Sequence, residues 1–117
     1  GHERDGPLVL APGPDAPTMA ARLVPDPDTG WNLHIATTGF TFAAENAGRA
    51  HVPGEGHAHI YVNGTKIARV YGPWYHIETL PAGRVDIEVA LNSNDHRALF
   101  VGDRELSETL TFDVPGQ

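Results

Sequence analysis

Two histidines, His57 and His59, stand one residue apart in a run that alternates between two kinds of side chain, His57-Ala58-His59-Ile60-Tyr61-Val62. On a β-strand this spacing sends both imidazoles out of one face, with Cα atoms about 6–7 Å apart, so the two rings can converge on one metal ion. His76 follows a Gly72-Pro73 break, on a segment expected to return past this pair. His96 lies in the polar turn Asn92–Arg97, with Asn94 and Asp95 beside it as oxygen donors. A set of imidazoles near one sheet end, with no thiolate, suits an ion that prefers nitrogen. Cu(II) is the first choice, with zinc as the alternative on the same nitrogens. The candidate metal ligands are therefore His57, His59, His76 and His96, and His34 and His51 are further histidines within possible reach. Neutral imidazole is the ligating form, so affinity is expected to fall as pH drops through about 6.5.

A single histidine on a strand face is usually a surface or packing residue, and the metal reading rests on the assembly. Gly54 and Gly56 precede the pair and permit close backbone approach, and Tyr71, Trp74 and Tyr75 bracket His76. The chain has no cysteine, which excludes disulfide scaffolds, thiolate metal sites and thiol catalysis. Met19 is the one methionine, so a thioether site for Cu(I) is excluded as well. The formal charge of −7 leaves no basic stripe to neutralise phosphates, so neither nucleic acid nor an anionic membrane is an expected partner. No apolar run of membrane-spanning length is present, so the domain is not expected to insert in a membrane.

The elements that must position these side chains are strands. At 117 residues the chain is expected to form one domain. Residues 1–17 are rich in Pro, Gly and Asp and read as a flexible N-terminal arm. Within it Gly1-His2 looks like a tag scar, so His2 is set aside and a leader is expected to have been removed. Residues 18–117 read as a single β-sandwich domain. Strands are expected over 19–24, 31–38, 57–62, 66–71, 74–77, 85–91 and 108–114, with Phe40 and Phe42 continuing the second strand or starting a new course. Asn63-Gly64 is a strong signal for a two-residue hairpin of type I′. The stretch 43–56 reads as a long loop with at most one helical turn. Val85, Ile87, Val89 and Leu91 form one apolar face, expected to pack against Leu110, Phe112 and Val114. Seven short strands at roughly ten-residue spacing point to an all-β, antiparallel β-sandwich of immunoglobulin or fibronectin type, without the immunoglobulin disulfide.

Residues 54–62 (GEGHAHIYV), 76–91 (HIETLPAGRVDIEVAL), His96 and 107–114 (SETLTFDV) resemble small exported bacterial domains of the DUF4399 type. The turn Leu80-Pro81-Ala82-Gly83 is one residue longer than that pattern. More loosely, the chain is similar to immunoglobulin-like periplasmic copper carriers of the CopC kind. It departs from them in having no native N-terminal histidine for a histidine brace and no methionine-rich site. The resemblance implies a periplasmic or secreted metal-binding protein that stores, delivers or confers tolerance to copper, with a periplasmic or membrane protein as partner. The alternatives are a small metalloenzyme and a structural accessory domain without a metal. The enzyme would use His57, His59 and His76 on zinc or copper, with Glu55 or Glu78 as base. With no HExxH motif and only short loops to shape a cleft, binding is the leading reading.

Overall fold

The computed structural model describes residues 6–116. Its strands are β1 (Leu8–Leu10), β2 (Thr18–Pro25), β3 (Trp31–Thr38), β4 (Thr41–Phe42), β5 (Glu55–Val62), β6 (Thr65–Val70), β7 (Trp74–Ile77), β8 (Gly83–Ser93), β9 (Leu99–Val101), β10 (Arg104–Glu105) and β11 (Ser107–Val114). A 3₁₀ turn, Ala44–Asn46, is the one helical element among the described residues. No helix among them is long and apolar enough to cross a membrane. The seven expected strands are β2, β3, β5, β6, β7, β8 and β11, and the four added ones are short.

The protein is all-β. The larger sheet runs β11-β8-β5, and the far edge of β5 is shared by β6 and the short β4. A second sheet has the order β2-β3-β7, and β1-β9-β10 form a third, small one. The long pairings are antiparallel. Two short ones, β1 with β9 and β4 with β5, run parallel and depart from the purely antiparallel arrangement expected. Residues 8–10, expected to be part of a loose arm, are tied down by the first of these. Leu8, Val9 and Leu10 stand opposite Leu99, Phe100 and Val101, and Leu8 and Leu10 pack on the core. Three residues make a weak strand on their own, and here the neighbouring β9 supplies the ladder. Residues 1–5, with the expected tag scar, lie outside the described residues.

The core forms where the two main sheets face each other. Leu33, Ile35 and Ile77 enter from one sheet, and Ala58, Ile60, Val85, Ile87, Val89 and Leu91 from the other. Val85, Ile87, Val89 and Leu91 are all 0% exposed, as the alternation required. Their relation to β11 differs from the expected facing one: Leu110 stands beside Ile87 and Phe112 beside Val85 within one sheet. Periodicity identifies the inward face but does not say whether two inward faces are neighbours or opposites. Leu91→Ala should cost about 2–5 kcal/mol through lost transfer energy and the cavity left behind, measurable as a shift in the urea midpoint. A change below 1 kcal/mol would contradict the burial of this side chain.

Candidate metal centre

Strand β5 has two buried faces. Ala58 and Ile60 point into the core, opposite Leu91 and Val89 of β8 in register. His57 and His59 therefore point outward from the larger sheet, beside Asn92 and Ala90. They are nevertheless 0% and 1% exposed, so they do not sit at an open rim. The cover comes from outside the sheet. The His57 ring lies 4.9 Å from that of His59, 4.7 Å from His96 and 5.4 Å from Tyr71, centroid to centroid. His96 also stacks parallel to His59 at 6.2 Å. One ligand atom from each of His57, His59 and His96 falls within 4.8 Å of the other two. Three imidazoles at this separation can hold a metal ion.

Local structure explains how they meet. The chain leaves β5 through Asn63-Gly64, with φ of 49° and 84°, the two positive values that a type I′ turn needs. The Asn63 carboxamide also accepts the Asp86 N–H at 2.9 Å, which ties the turn to β8. Gly56 stands one residue before the first histidine, and a Cβ there would lie 2.0 Å from the Asn92 carbonyl oxygen. Only glycine permits this close approach of β5 to β8. Gly64 has open space around it, so Gly64→Val should act through the backbone alone, costing about 1–3 kcal/mol. Metal affinity should fall with it, because slippage in the hairpin turns both imidazoles to the core side. Unchanged affinity in a folded G64V protein, by calorimetric titration, would show that the turn does not govern the site.

The turn after β8 delivers the third ring. His96 has φ of 63°, a left-handed conformation uncommon outside glycine. It is held by its N–H to the Ser93 carbonyl at 2.9 Å, while Ser93 N–H bonds the Arg97 carbonyl at 2.9 Å. Asp95 accepts from the Ser93 hydroxyl and from Arg97 Nε at 3.0 Å. Asn94, 0% exposed, anchors the turn from below: its amide donates to Glu55 Oε1 at 3.1 Å, which also accepts from Asn46 at 2.8 Å. Glu55 thereby links the 43–56 loop to the histidine turn. The amides of Asn94 and Asn46 hold its carboxyl below the usual carboxylate range.

No ring nitrogen of His57 or His59 has a hydrogen-bond partner among the described residues. Buried polar atoms are nearly always satisfied, so four orphaned nitrogens converging on a third imidazole fit a ligand set. Burial pushes His57 down to about 3, with the neighbouring His59 and His96 adding to the effect. His59 is pushed down to about 4, first by burial and then by Lys66. His96 is lowered by burial and by Arg69. All three are held in the neutral, ligating form.

The structure does not bring His76 into this group. Past Gly72-Pro73 the chain crosses to the other sheet, where β7 pairs with β3. His76 is exposed there, with Nδ1 2.7 Å from Asn32 Oδ1 and Nε2 2.8 Å from Glu78 Oε1, so both nitrogens are engaged. A Gly-Pro break says that the strand ends, not which sheet receives the next one. The aromatics expected around His76 are dispersed in the same way: Tyr71 stays with His57, and Trp74 packs on His34 at 4.3 Å. His51 and His34 are not in the group either, although His51 Nδ1 is buried without a partner. The bases imagined for an enzyme are likewise committed elsewhere, Glu78 to His76 and Glu55 to two amides. Asn94 and Glu55 as supports of His96 were not identified from sequence; the Asx-rich turn was the available signal. Comparison with family models, with curated proteins and with solved structures gives no match.

Proposed function

We propose that this chain is a metal-binding module that holds one Cu(II) ion at His57, His59 and His96, in the periplasm or outside the cell, for storage, delivery or tolerance. The observation that carries the reading is the set of four unpartnered, buried ring nitrogens on His57 and His59, facing a third imidazole. An imidazole-only donor set favours copper over calcium, magnesium or manganese, and copper exceeds zinc in affinity at nitrogen sites. The exported location and a periplasmic or membrane protein as delivery partner rest on the resemblance of residues 54–62 and 76–91 to small exported bacterial domains. Elemental analysis of protein purified without a polyhistidine tag, followed by titration with Cu(II) and Zn(II), tests the reading. The expected result is one copper per chain, with zinc displaced by copper. Failure to retain either metal would leave a structural accessory domain as the better account.

A further inference from the structure

The candidate metal centre has two cations for neighbours in an acidic protein. The three ligands are neutral imidazoles and bring no negative charge to a divalent ion. Next to them, on the same face of the larger sheet, β6 places two cations. Arg69 stands directly opposite His59 in the β5–β6 register, and Lys66 opposite Tyr61. The Arg69 guanidinium donates to the Tyr71 hydroxyl at 3.3 Å, and the Tyr71 ring lies against His57. Both cations act on all three histidines.

Neither of the two carboxylates close to the site belongs to the ligand group. Glu55 shares the strand face, but its Oε1 accepts from Asn46 and Asn94, and it is not part of the ligand group. Asp95 is next to His96 in sequence, and its two oxygens are bound by Ser93 and Arg97. A divalent ion on three imidazoles would thus sit beside two exposed cations, with Glu55 as the one nearby carboxylate not paired with a cation and no carboxylate in the ligand group, and poorly compensated charge in a largely buried place is costly. Resting on the metal reading above, we infer that the ion takes its fourth ligand from solvent as a small anion, drawn in by Arg69 and Lys66. The chemical class is a monodentate inorganic anion, and the coordination position it takes is exchangeable. Such a position is also where a delivery partner could present its own ligand during transfer.

The experiment uses the full chain, loaded with copper in chloride-free buffer, with the metal content measured first. Absence of copper at that stage overturns the metal reading, and this inference with it. With copper bound, azide is titrated and followed by the azide-to-copper charge-transfer band and by electron paramagnetic resonance. The expected result is saturable binding of one azide, absent in metal-free protein and weakened by added salt. Arg69→Gln should weaken azide by about tenfold, the effect of one charge at close range, and Lys66→Gln should act in the same direction. Copper should still load at one per chain in both variants. No spectral response to excess azide in the copper-loaded protein would overturn the inference, as would azide affinity in both R69Q and K66Q equal to that of the wild type. So would a phenolate-to-copper band present before azide and lost in Tyr71→Phe, and a wild type silent to azide that responds only as Glu55→Gln identifies the competing ligand. Either result would place a protein oxygen in the fourth position.

Discussion

His57→Leu is expected to weaken Cu(II) binding severely and, in the metal-free protein, to raise stability. The side chain is 0% exposed and neither ring nitrogen has a partner, so the fold carries two desolvated polar atoms at this position. Replacing them with an apolar side chain of similar bulk removes that penalty, worth about 1–3 kcal/mol. Binding should fall by at least about 100-fold, since one of three ligands is lost and residual affinity rests on two imidazoles. His57→Ala removes the same ligand but leaves a hole, so its metal-free stability should be lower than that of the leucine variant. His34→Ala should leave copper affinity within about twofold, because His34 packs on Trp74 on the other sheet. Calorimetric titration with Cu(II), paired with urea unfolding in a chelator, reads both quantities. Copper binding retained by H57L would mean that the wrong histidines have been assigned. The opposition between the two effects is informative in itself: a site kept at the expense of stability is a site kept for its ligand.

Acidification of the metal-free protein is expected to lower its stability from about pH 6.5 downward, earlier than carboxylate protonation alone would do. His57 is held at about 3 and His59 at about 4 in the fold, against an ordinary value of 6.5, chiefly by burial. The unfolded chain therefore binds these protons first, so stability is fully present above 6.5 and is lost as pH falls toward the lowered values. Each unit of difference corresponds to about 1.4 kcal/mol, and the two residues together contribute several kcal/mol across the window. Glu55 and Asp26, lowered by their hydrogen bonds, contribute loss only below the usual carboxylate range. The interval between about pH 6.5 and 5 consequently reports on the histidines. Urea midpoints measured across that interval should fall in the wild type and stay nearly flat in a His57→Leu, His59→Leu double variant. A flat wild-type profile would show that the two rings are not kept neutral by the fold. The same shifts alter the expectation for the loaded protein. Protons do not compete effectively at 6.5, and copper should be retained until pH approaches the lowered values.

How much of this was legible beforehand depends on the range of the interaction. The period-2 alternation of 57–62 and 85–91 placed His57 and His59 on one face and Val85, Ile87, Val89 and Leu91 on the other kind of face, because successive side chains of a strand must point oppositely. The Asn63-Gly64 turn was equally legible, since few residue pairs accept two positive φ values. The glycine at 56 signalled close backbone contact, and the Asn92 carbonyl oxygen is what it admits. The polar turn containing His96 could be located, and zero cysteine with one methionine already confined any metal site to imidazole and oxygen donors.

Tertiary structure decided what covers and what joins. Along the chain His76 stood ahead of His96, because it lies on the segment expected to return past the pair, whereas His96 needs the turn after Leu91 to lie at the same end of the sandwich. The sheet order sends β7 to pair with β3 and folds the turn after β8 over β5. The rings that lie over His57 likewise come from distant positions, Tyr71 and His96, the second on a turn fastened by Asn94 to Glu55 across 39 residues. Local sequence determines the conformation of a strand and the direction of its side chains, because those follow from backbone sterics within a few residues. Which strands become neighbours depends on the summed packing of the whole core, a quantity that no short segment carries. Hence two of the three histidines of the candidate site were set by the strand that bears them, and the third by the fold.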